Sequence, residues 1–145
     1  MAAVVSWSEM FLPSGRKRGT IPATFIIDTN EWLWIADRHS EHVGCADGGD
    51  VLAAGEIVFS RAADQIWIEE ISNQSTGYCP EPESWVILSQ VLGRLGMKYP
   101  SSFTAAFIFR RCDHCKTINI IKDDVYECAV CDAPLSQVWN CADGV

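Results

Sequence analysis

Two cysteine pairs in the C-terminal third decide how that part of the chain folds. The first is Cys112-Asp113-His114-Cys115, and twelve residues later the second is Cys128-Ala129-Val130-Cys131. A C-x2-C turn places two thiolates on one side of a metal ion, and twelve residues suffice for a hairpin that brings the second pair to the opposite side. The spacing therefore predicts a zinc ribbon in which Cys112, Cys115, Cys128 and Cys131 bind one structural Zn²⁺. Four thiolates leave no open position on the ion for catalysis, and His114 is expected to point away from it.

Three further cysteines lie outside this pattern. The chain has seven cysteines, and an odd count with two C-x2-C pairs favours metal binding in a reducing compartment over a disulfide framework. Cys141 is expected to be a free thiol. A second metal site that combines His39, His42, Cys45 and Cys79 can be drawn, but separate core thiols and loop histidines are the simpler interpretation.

Upstream of the cysteine pairs, short apolar runs rich in β-branched and aromatic residues predict β-hairpins. Their strands are expected over residues 24–28, 31–36, 51–59 and 65–71. Pro80, Pro82 and Gly77 predict an irregular path between the second hairpin and the next element.

A single helix is predicted over residues 83–95. Trp85, Leu88, Leu92 and Leu95 form one apolar stripe at helical spacing. Pro82 is placed to begin the helix, and Gly96 is placed to end it. A further strand is predicted over the apolar residues 103–109, followed by the ribbon hairpin around Asp123-Asp124.

These elements predict an α+β fold: a mostly antiparallel β-sheet or partial barrel with one main helix and a C-terminal zinc ribbon. The expected organisation is a flexible lead-in over residues 1–22, an α+β core over residues 23–100, and the ribbon over residues 101–145, packed on the core.

Composition narrows the choice of partners. The formal net charge is -8, and four thiolates with one Zn²⁺ would bring it to about -10. A chain this acidic lacks the electrostatic footprint of a nucleic-acid-binding protein. A nucleic-acid-binding ribbon stays an alternative because basic residues flank the cysteines: Arg110, Arg111, Lys116 and Lys122. No stretch predicts a signal peptide or a membrane-spanning helix, so a cytoplasmic location without membrane contact is expected.

The loops around the second hairpin supply the candidate ligand-binding residues. If its strands pair, residues 39–49 and 72–82 are brought near each other, and their polar side chains line one cleft. The residues expected there are His42, Glu56, Asn73, Ser75, Thr76 and Tyr78. The simpler interpretation is that these side chains bond to nearby backbone in loops.

Two functions follow from this arrangement. The first is a zinc-stabilised binding module that recognises a protein partner or a small polar ligand through the two loops. The alternative is a small enzyme in which His42 or Glu56 acts as the acid–base group, while Asn73 and Tyr78 orient the substrate.

From about residue 23 to residue 140, the chain resembles a group of small, uncharacterised bacterial zinc-ribbon proteins. The resemblance is carried by Gly55-Glu56-Ile57, by the run Ile71-Ser72-Asn73-Gln74-Ser75-Thr76-Gly77-Tyr78-Cys79-Pro80, by Phe103-Thr104-Ala105-Ala106-Phe107, by the two cysteine pairs and by Trp139-Asn140. It implies a structural metal and no particular activity.

Residues 25–95 also resemble plant IQ-motif calmodulin-binding proteins. The shared order is His42, Gly48-Gly49, Ala53-Ala54-Gly55 and Tyr78-Cys79-Pro80. Those proteins have a histidine before the tyrosine, where this chain has Gly77, and this chain has no IQ motif. The resemblance therefore does not imply calmodulin binding.

Overall fold

The centre of the fold is an open, five-stranded antiparallel β-sheet. A computed structural model describes residues 2–3, 18–39 and 49–141 of the chain. The strands are β1 (Ala2–Ala3), β2 (Arg18–Asp28), β3 (Leu33–Asp37), β4 (Val51–Ala62) and β5 (Gln65–Ile71), in the spatial order β1-β3-β2-β4-β5. Every neighbouring pair is antiparallel. The predicted sheet is confirmed, and the described strands do not close into a barrel.

Strand β2 begins earlier than the sequence indicated. Residues 18–22 were expected in the lead-in because Gly19 and Pro22 resemble loop residues, yet they pair with the far end of β4. Pro22 is tolerated there because β3 pairs with β2 only from Ala23 onward. Proline in a sheet is confined to positions where no neighbouring strand needs its missing N–H.

A β-bulge interrupts β5. Val58 pairs with Glu70, but the next residue, Phe59, pairs with Ile68, so Glu69 has no partner of its own. Glu69 and Glu70 are therefore both exposed, between the buried Ile68 and Ile71. An extra residue shifts the two-residue alternation by one position, which is why the sequence of β5 alternates only in part.

Gly55 allows the chain to pass over β4 immediately after β5. The Ser72 amide donates a hydrogen bond to the Glu56 carbonyl oxygen at 2.8 Å. A Cβ atom on Gly55 would lie 1.8 Å from the Ser72 carbonyl oxygen. Only glycine permits such a close approach of two backbones.

One α-helix is present among the described residues, and it covers the sheet. A short 3-10 turn (Pro82–Ser84) leads into α1 (Trp85–Arg94), and Gly96, with φ +73°, ends it. The predicted helix is confirmed. Its buried face packs into the core formed by the apolar side chains of β2, β4 and β5. None of the described helical segments has the length and apolar composition that crossing a bilayer requires.

The strand predicted over residues 103–109 is wrong for all but its last residue. The only strand here is β6 (Phe109–Arg111), which pairs with β7 (Ile118–Ile120). Before it, the chain runs past the end of β5 and is held by separate contacts. The Thr104 amide donates to the Ile71 carbonyl oxygen at 2.9 Å, and the Thr104 hydroxyl accepts from the Ile71 amide at 2.8 Å. One backbone bond and the bonds of the Thr104 hydroxyl thus take the place of a regular ladder.

Candidate metal centre and the adjoining cleft

The first cysteine pair lies in a tight turn between β6 and β7. The Cys112 amide donates to the Thr117 carbonyl oxygen, and the Lys116 amide donates to the Cys112 carbonyl oxygen, both at 2.8 Å. Lys116 closes the turn in the left-handed region, with φ +68°. The Cys115 amide points back at the Cys112 Sγ atom, 3.4 Å away.

The second pair repeats this construction. The Cys128 amide donates to the Ala133 carbonyl oxygen at 2.8 Å, and the Asp132 amide donates to the Cys128 carbonyl oxygen at 2.9 Å. Asp132 has φ +63°, and the Val130 amide lies 3.4 Å from the Cys128 Sγ atom. Because the same backbone bonds recur at the same offsets, the two C-x2-C turns are local copies that present their sulfur atoms alike.

The four sulfur atoms fit a tetrahedral metal ion. They lie within 4.8 Å of one another, and the Cys112–Cys131 and Cys115–Cys128 Sγ pairs are each 3.5 Å apart. A zinc–sulfur bond of about 2.3 Å gives a tetrahedron with an edge of about 3.8 Å. A disulfide needs only about 2.05 Å, and all four cysteines are free thiols. The arrangement is consistent with a metal site.

Hydrogen bonds around the sulfur atoms favour thiolates at two of the four positions. A backbone hydrogen bond from Cys131, assisted by Val130 and Asn119, lowers the pKa of the Cys128 thiol to about 6 against the effect of burial. A bond with the Thr117 hydroxyl lowers the pKa of Cys115. The donors satisfy negative charge on sulfur, as a metal-binding thiolate requires.

The thiol of Cys131 is harder to ionise when no cation is present. A backbone bond from Ala133 favours the thiolate of Cys131, but burial and the three neighbouring cysteines raise its pKa to about 12. Like charges at this distance disfavour each other. A divalent cation at the centre removes that repulsion, and the chemistry of the four donors therefore also fits a metal.

Asn119 supports this site from behind. Its side chain is almost fully buried. The amide nitrogen lies 3.5 Å from the Cys128 Sγ atom, and the Oδ1 atom accepts a bond from the Ala129 amide at 2.9 Å. One side chain thus fixes both the sulfur and the turn that carries it.

Arg110 is part of the interior of this segment. It is 7% exposed, and its guanidinium donates to the carbonyl oxygens of Phe109, Ser136 and Gln137. It also lies 5.9 Å from the centroid of the Tyr126 ring. Arg110 is one of the four basic residues on which the nucleic-acid-binding alternative rested. Its guanidinium instead forms hydrogen bonds within this segment of the chain.

Trp139 and Asn140 fasten the end of the chain on two sides. The side-chain amide of Asn140 forms two hydrogen bonds of 2.8 Å with the backbone of Arg111: its Oδ1 accepts from the Arg111 N–H, and its Nδ2 donates to the Arg111 carbonyl oxygen. A neighbouring strand would pair with Arg111 in the same way. The Trp139 indole N–H donates to the Cys79 carbonyl oxygen at 2.8 Å. Cys79 packs with Phe109 and Cys141 in a small apolar cluster. The segment that bears the four cysteines is thus attached to the loop that follows β5.

Asn73 makes a second attachment. The side chain is fully buried; its Nδ2 donates to the carbonyl oxygens of Pro80 and Phe107 at 2.9 and 2.8 Å, and its Oδ1 accepts from the Phe107 amide at 2.7 Å. These bonds use the oxygen and both hydrogens of the amide. The prediction that Asn73 contacts a ligand is therefore wrong, because its polar atoms bridge two chain segments.

A cleft of about 490 Å³ opens where the loop, the start of β4 and Trp139 meet. This volume is in the range of small-molecule sites, about 300–1,000 Å³. The lining residues are Val51, Leu52, Ala53, Tyr78, Cys79, Pro80, Glu81, Glu83, Ser84 and Trp139. The cleft wall therefore contains residues from the core and Trp139 from residues 109–141, the four-cysteine segment.

Of the predicted ligand-binding residues that the structure describes, Tyr78 alone lines this cleft. The Tyr78 hydroxyl donates to the Gly49 carbonyl oxygen. Glu56 is exposed and lines a different, smaller depression beside Glu70 and Thr104.

The remaining predicted positions have separate outcomes. Ser75 is buried, and its hydroxyl accepts a bond from the Tyr78 amide, while Thr76 is exposed at the loop surface. His42 lies outside the described residues, as does Cys45 of the alternative metal site.

Trp139, Glu81 and Glu83 were not predicted to line a binding cleft. In the sequence, Glu81 and Glu83 lie in the run Pro80-Glu81-Pro82-Glu83, and Trp139 is followed by Asn140. No sequence pattern indicated that these two segments, 56 residues apart, meet in the fold. Comparison of the chain with protein-family models, curated proteins and solved structures found no match.

Proposed function

We propose that this protein is a zinc-stabilised binding module whose ligand, a protein partner or a small polar molecule, occupies the cleft between Tyr78 and Trp139. The observation that carries the proposal is that two different parts of the chain line that cleft. One part of its wall comes from the loop after β5, and a second part comes from Trp139 in the four-cysteine segment. A metal that fixes the second part would therefore fix the shape of the binding site.

Zinc is the metal that best suits the site. In this proposal the four cysteines hold Zn²⁺ as a closed zinc ribbon, and the ion has a structural role. Thiolate-only tetrahedral sites select zinc or iron, and an ion with four protein ligands has no position left for substrate.

Metal analysis of the purified protein tests the first half of the proposal. We expect one zinc per chain, and the absorption spectrum of tetrahedral cobalt thiolate after exchange with Co²⁺. Cys115→Ser should lower the metal content, whereas Cys141→Ser, a substitution outside the four-cysteine cluster, should leave one zinc per chain. Iron in place of zinc, or no metal at all, would overturn it.

Nuclear magnetic resonance of the Trp139 indole tests the second half. Its N–H is bonded to Cys79 at the edge of the cleft, so occupancy should shift this resonance, which Trp139→Phe identifies by its loss. The proposal requires that a bound ligand shift Trp139 in the metal-loaded protein and that chelation weaken this binding. Equal affinity with and without metal would show that ligand binding in the cleft does not depend on the metal.

A further inference from the structure

We infer that the cleft between Tyr78 and Trp139 accepts the cationic side chain of a lysine or arginine in a basic segment of a protein partner. This inference rests on the proposed function and names the class of ligand. It follows from three properties of the cleft: its aromatic walls, its acidic rim and the exposed apolar surface beside it.

The two aromatic walls are held in place before any ligand arrives. The Trp139 indole N–H is bonded to the Cys79 carbonyl oxygen, and the Tyr78 hydroxyl is bonded to the Gly49 carbonyl oxygen. Each ring is only partly buried. Tryptophan and tyrosine attract cations through their π systems, and side chains that are already restrained lose less conformational entropy when a ligand binds.

Among the described residues, the lining of the cleft carries negative charge and no positive charge. Glu81 and Glu83 both line the cleft and are both exposed. The part of the lining that the structure describes contains no lysine, arginine or histidine, and neither carboxylate forms an ion pair with another described residue. An anionic ligand would meet two like charges here, whereas a cation would meet two opposite ones.

The surroundings favour a side chain that belongs to a peptide over a free amine. Leu52 is 38% exposed at the cleft, and Val138, next to Trp139, is 72% exposed. These apolar groups extend the contact surface beyond the space that one amine fills. The net charge of -8 would also attract a basic segment at long range.

The experiment compares four capped octapeptides in which glycine alternates with lysine, arginine, glutamate or Nε-acetyl-lysine. Affinity is measured by calorimetry on the metal-loaded full chain, and the site is checked by the Trp139 indole resonance. We expect the lysine and arginine peptides to shift Trp139 and to bind at least about tenfold more tightly than the other two, because only they carry the cation.

Two double variants separate the cleft from general charge attraction. Glu81→Gln with Glu83→Gln should weaken the lysine peptide at least about fivefold. Asp123→Asn with Asp124→Asn removes the same charge from a turn in the four-cysteine segment, where both residues have positive φ that asparagine tolerates. This control should change the affinity less than about twofold.

Each contrary result has a distinct meaning. Equal weakening by both double variants would overturn the inference, since attraction would then depend on total charge. If the acetylated peptide bound as tightly as the lysine peptide and shifted Trp139 equally, recognition of a cation would be disproved while the cleft remained a binding site. If no peptide shifted Trp139, the cationic inference would be overturned, and neutral polar ligands would remain as the test of the proposed function.

Discussion

The sheet core and the four-cysteine segment are stabilised in different ways. In the core, the buried side chains are large and apolar, with Phe25, Phe59 and Leu88 among those fully excluded from solvent. In the segment over residues 109–141, the apolar cluster around the cysteines contains Leu135 as its one buried apolar residue besides cysteine. Hydrophobic burial scales with apolar area, so this cluster contributes less by burial than the core does, and a metal held by the four cysteines would add stability that apolar packing does not supply there.

Removing the metal should have the largest effect and should separate the two regions. We expect chelation, or Cys128→Ser, to disorder residues 109–141 while β2 and β4 keep their amide protons protected from hydrogen exchange. Structural zinc sites contribute on the order of 10 kcal/mol, more than the segment's small apolar cluster can replace. Hydrogen exchange read residue by residue measures both regions in one experiment. Simultaneous loss of protection in β2 and β4 would show that the two regions fold as one unit.

Gly55→Ala should be the most damaging single substitution in the core. The new Cβ would lie 1.8 Å from the Ser72 carbonyl oxygen, and this atom belongs to backbone that cannot rotate away. We expect a loss of at least about 3 kcal/mol in the free energy of unfolding, measured with denaturant.

Gly93→Ala is the matched control for that substitution. Its new Cβ meets only the Tyr99 hydroxyl, at 3.5 Å, and lies in α1, where alanine is favoured by about 0.5–1 kcal/mol. It should leave stability unchanged or raise it. Similar losses at both glycines would contradict the close approach of β4 and Ser72.

This difference between the glycines shows where the sequence is informative. The two hairpins of the sheet, α1 and the four-cysteine cluster were predictable because each follows from a local pattern: apolar alternation, a helical stripe, or a fixed cysteine spacing. The hairpin expected around Asp123-Asp124 is reduced to one isolated bridge between Lys122 and Val125. The crossing at Gly55 was not predictable, because it depends on Ser72, which is distant in sequence. The prediction that Pro22 lies in the lead-in was wrong for a similar reason, because a proline is tolerated in β2 only where β3 no longer pairs with it.

The candidate site follows the same rule. The four cysteines of the candidate metal site could be named from their spacing alone, but the cleft could not, because long-range bonds bring Tyr78 and Trp139 together. Asn73 was misassigned because a polar residue in an irregular loop has the same sequence signature whether it faces a ligand or bridges two backbones.

Asn73→Ala should weaken the attachment between the two regions. It leaves the partly buried carbonyl oxygens of Pro80 and Phe107 and the Phe107 amide without the partner that Asn73 supplies. We expect a loss of about 2–3 kcal/mol in the free energy of unfolding, because unsatisfied buried polar groups are costly. The Trp139 indole resonance should move as well, since Pro80 lines the cleft.

Gln74→Ala, one residue further on, is the control for this attachment. The side chain of Gln74 is half-buried, and its loss should cost under about 0.5 kcal/mol. If Asn73→Ala were as mild as this control, the buried amide would not be joining the two regions.

The smallest expected effect concerns Asp28, at the turn between β2 and β3 in the core. Although burial opposes it, hydrogen bonds from the Trp32 amide, the Trp34 indole and the Asn30 amide hold the pKa of this carboxyl below its ordinary value of 3.8. The carboxylate therefore contributes stability above about pH 4, and this contribution is lost as the pH falls through the lowered pKa. Asp28→Asn keeps one oxygen for the two backbone amides but offers an N–H to the Trp34 indole, which needs an acceptor.

We expect Asp28→Asn to cost about 0.5–1 kcal/mol near neutral pH, because exposed charges are screened by solvent. The difference between wild type and variant should shrink toward about pH 2, where the wild-type carboxyl is also protonated. Acid releases metal from thiolates in both proteins, so only the difference between them reports on the turn. A difference that stayed constant with pH would mean that the turn depends on the shape of the side chain and not on its charge, and the core would then contain no stabilising ionised group at this position.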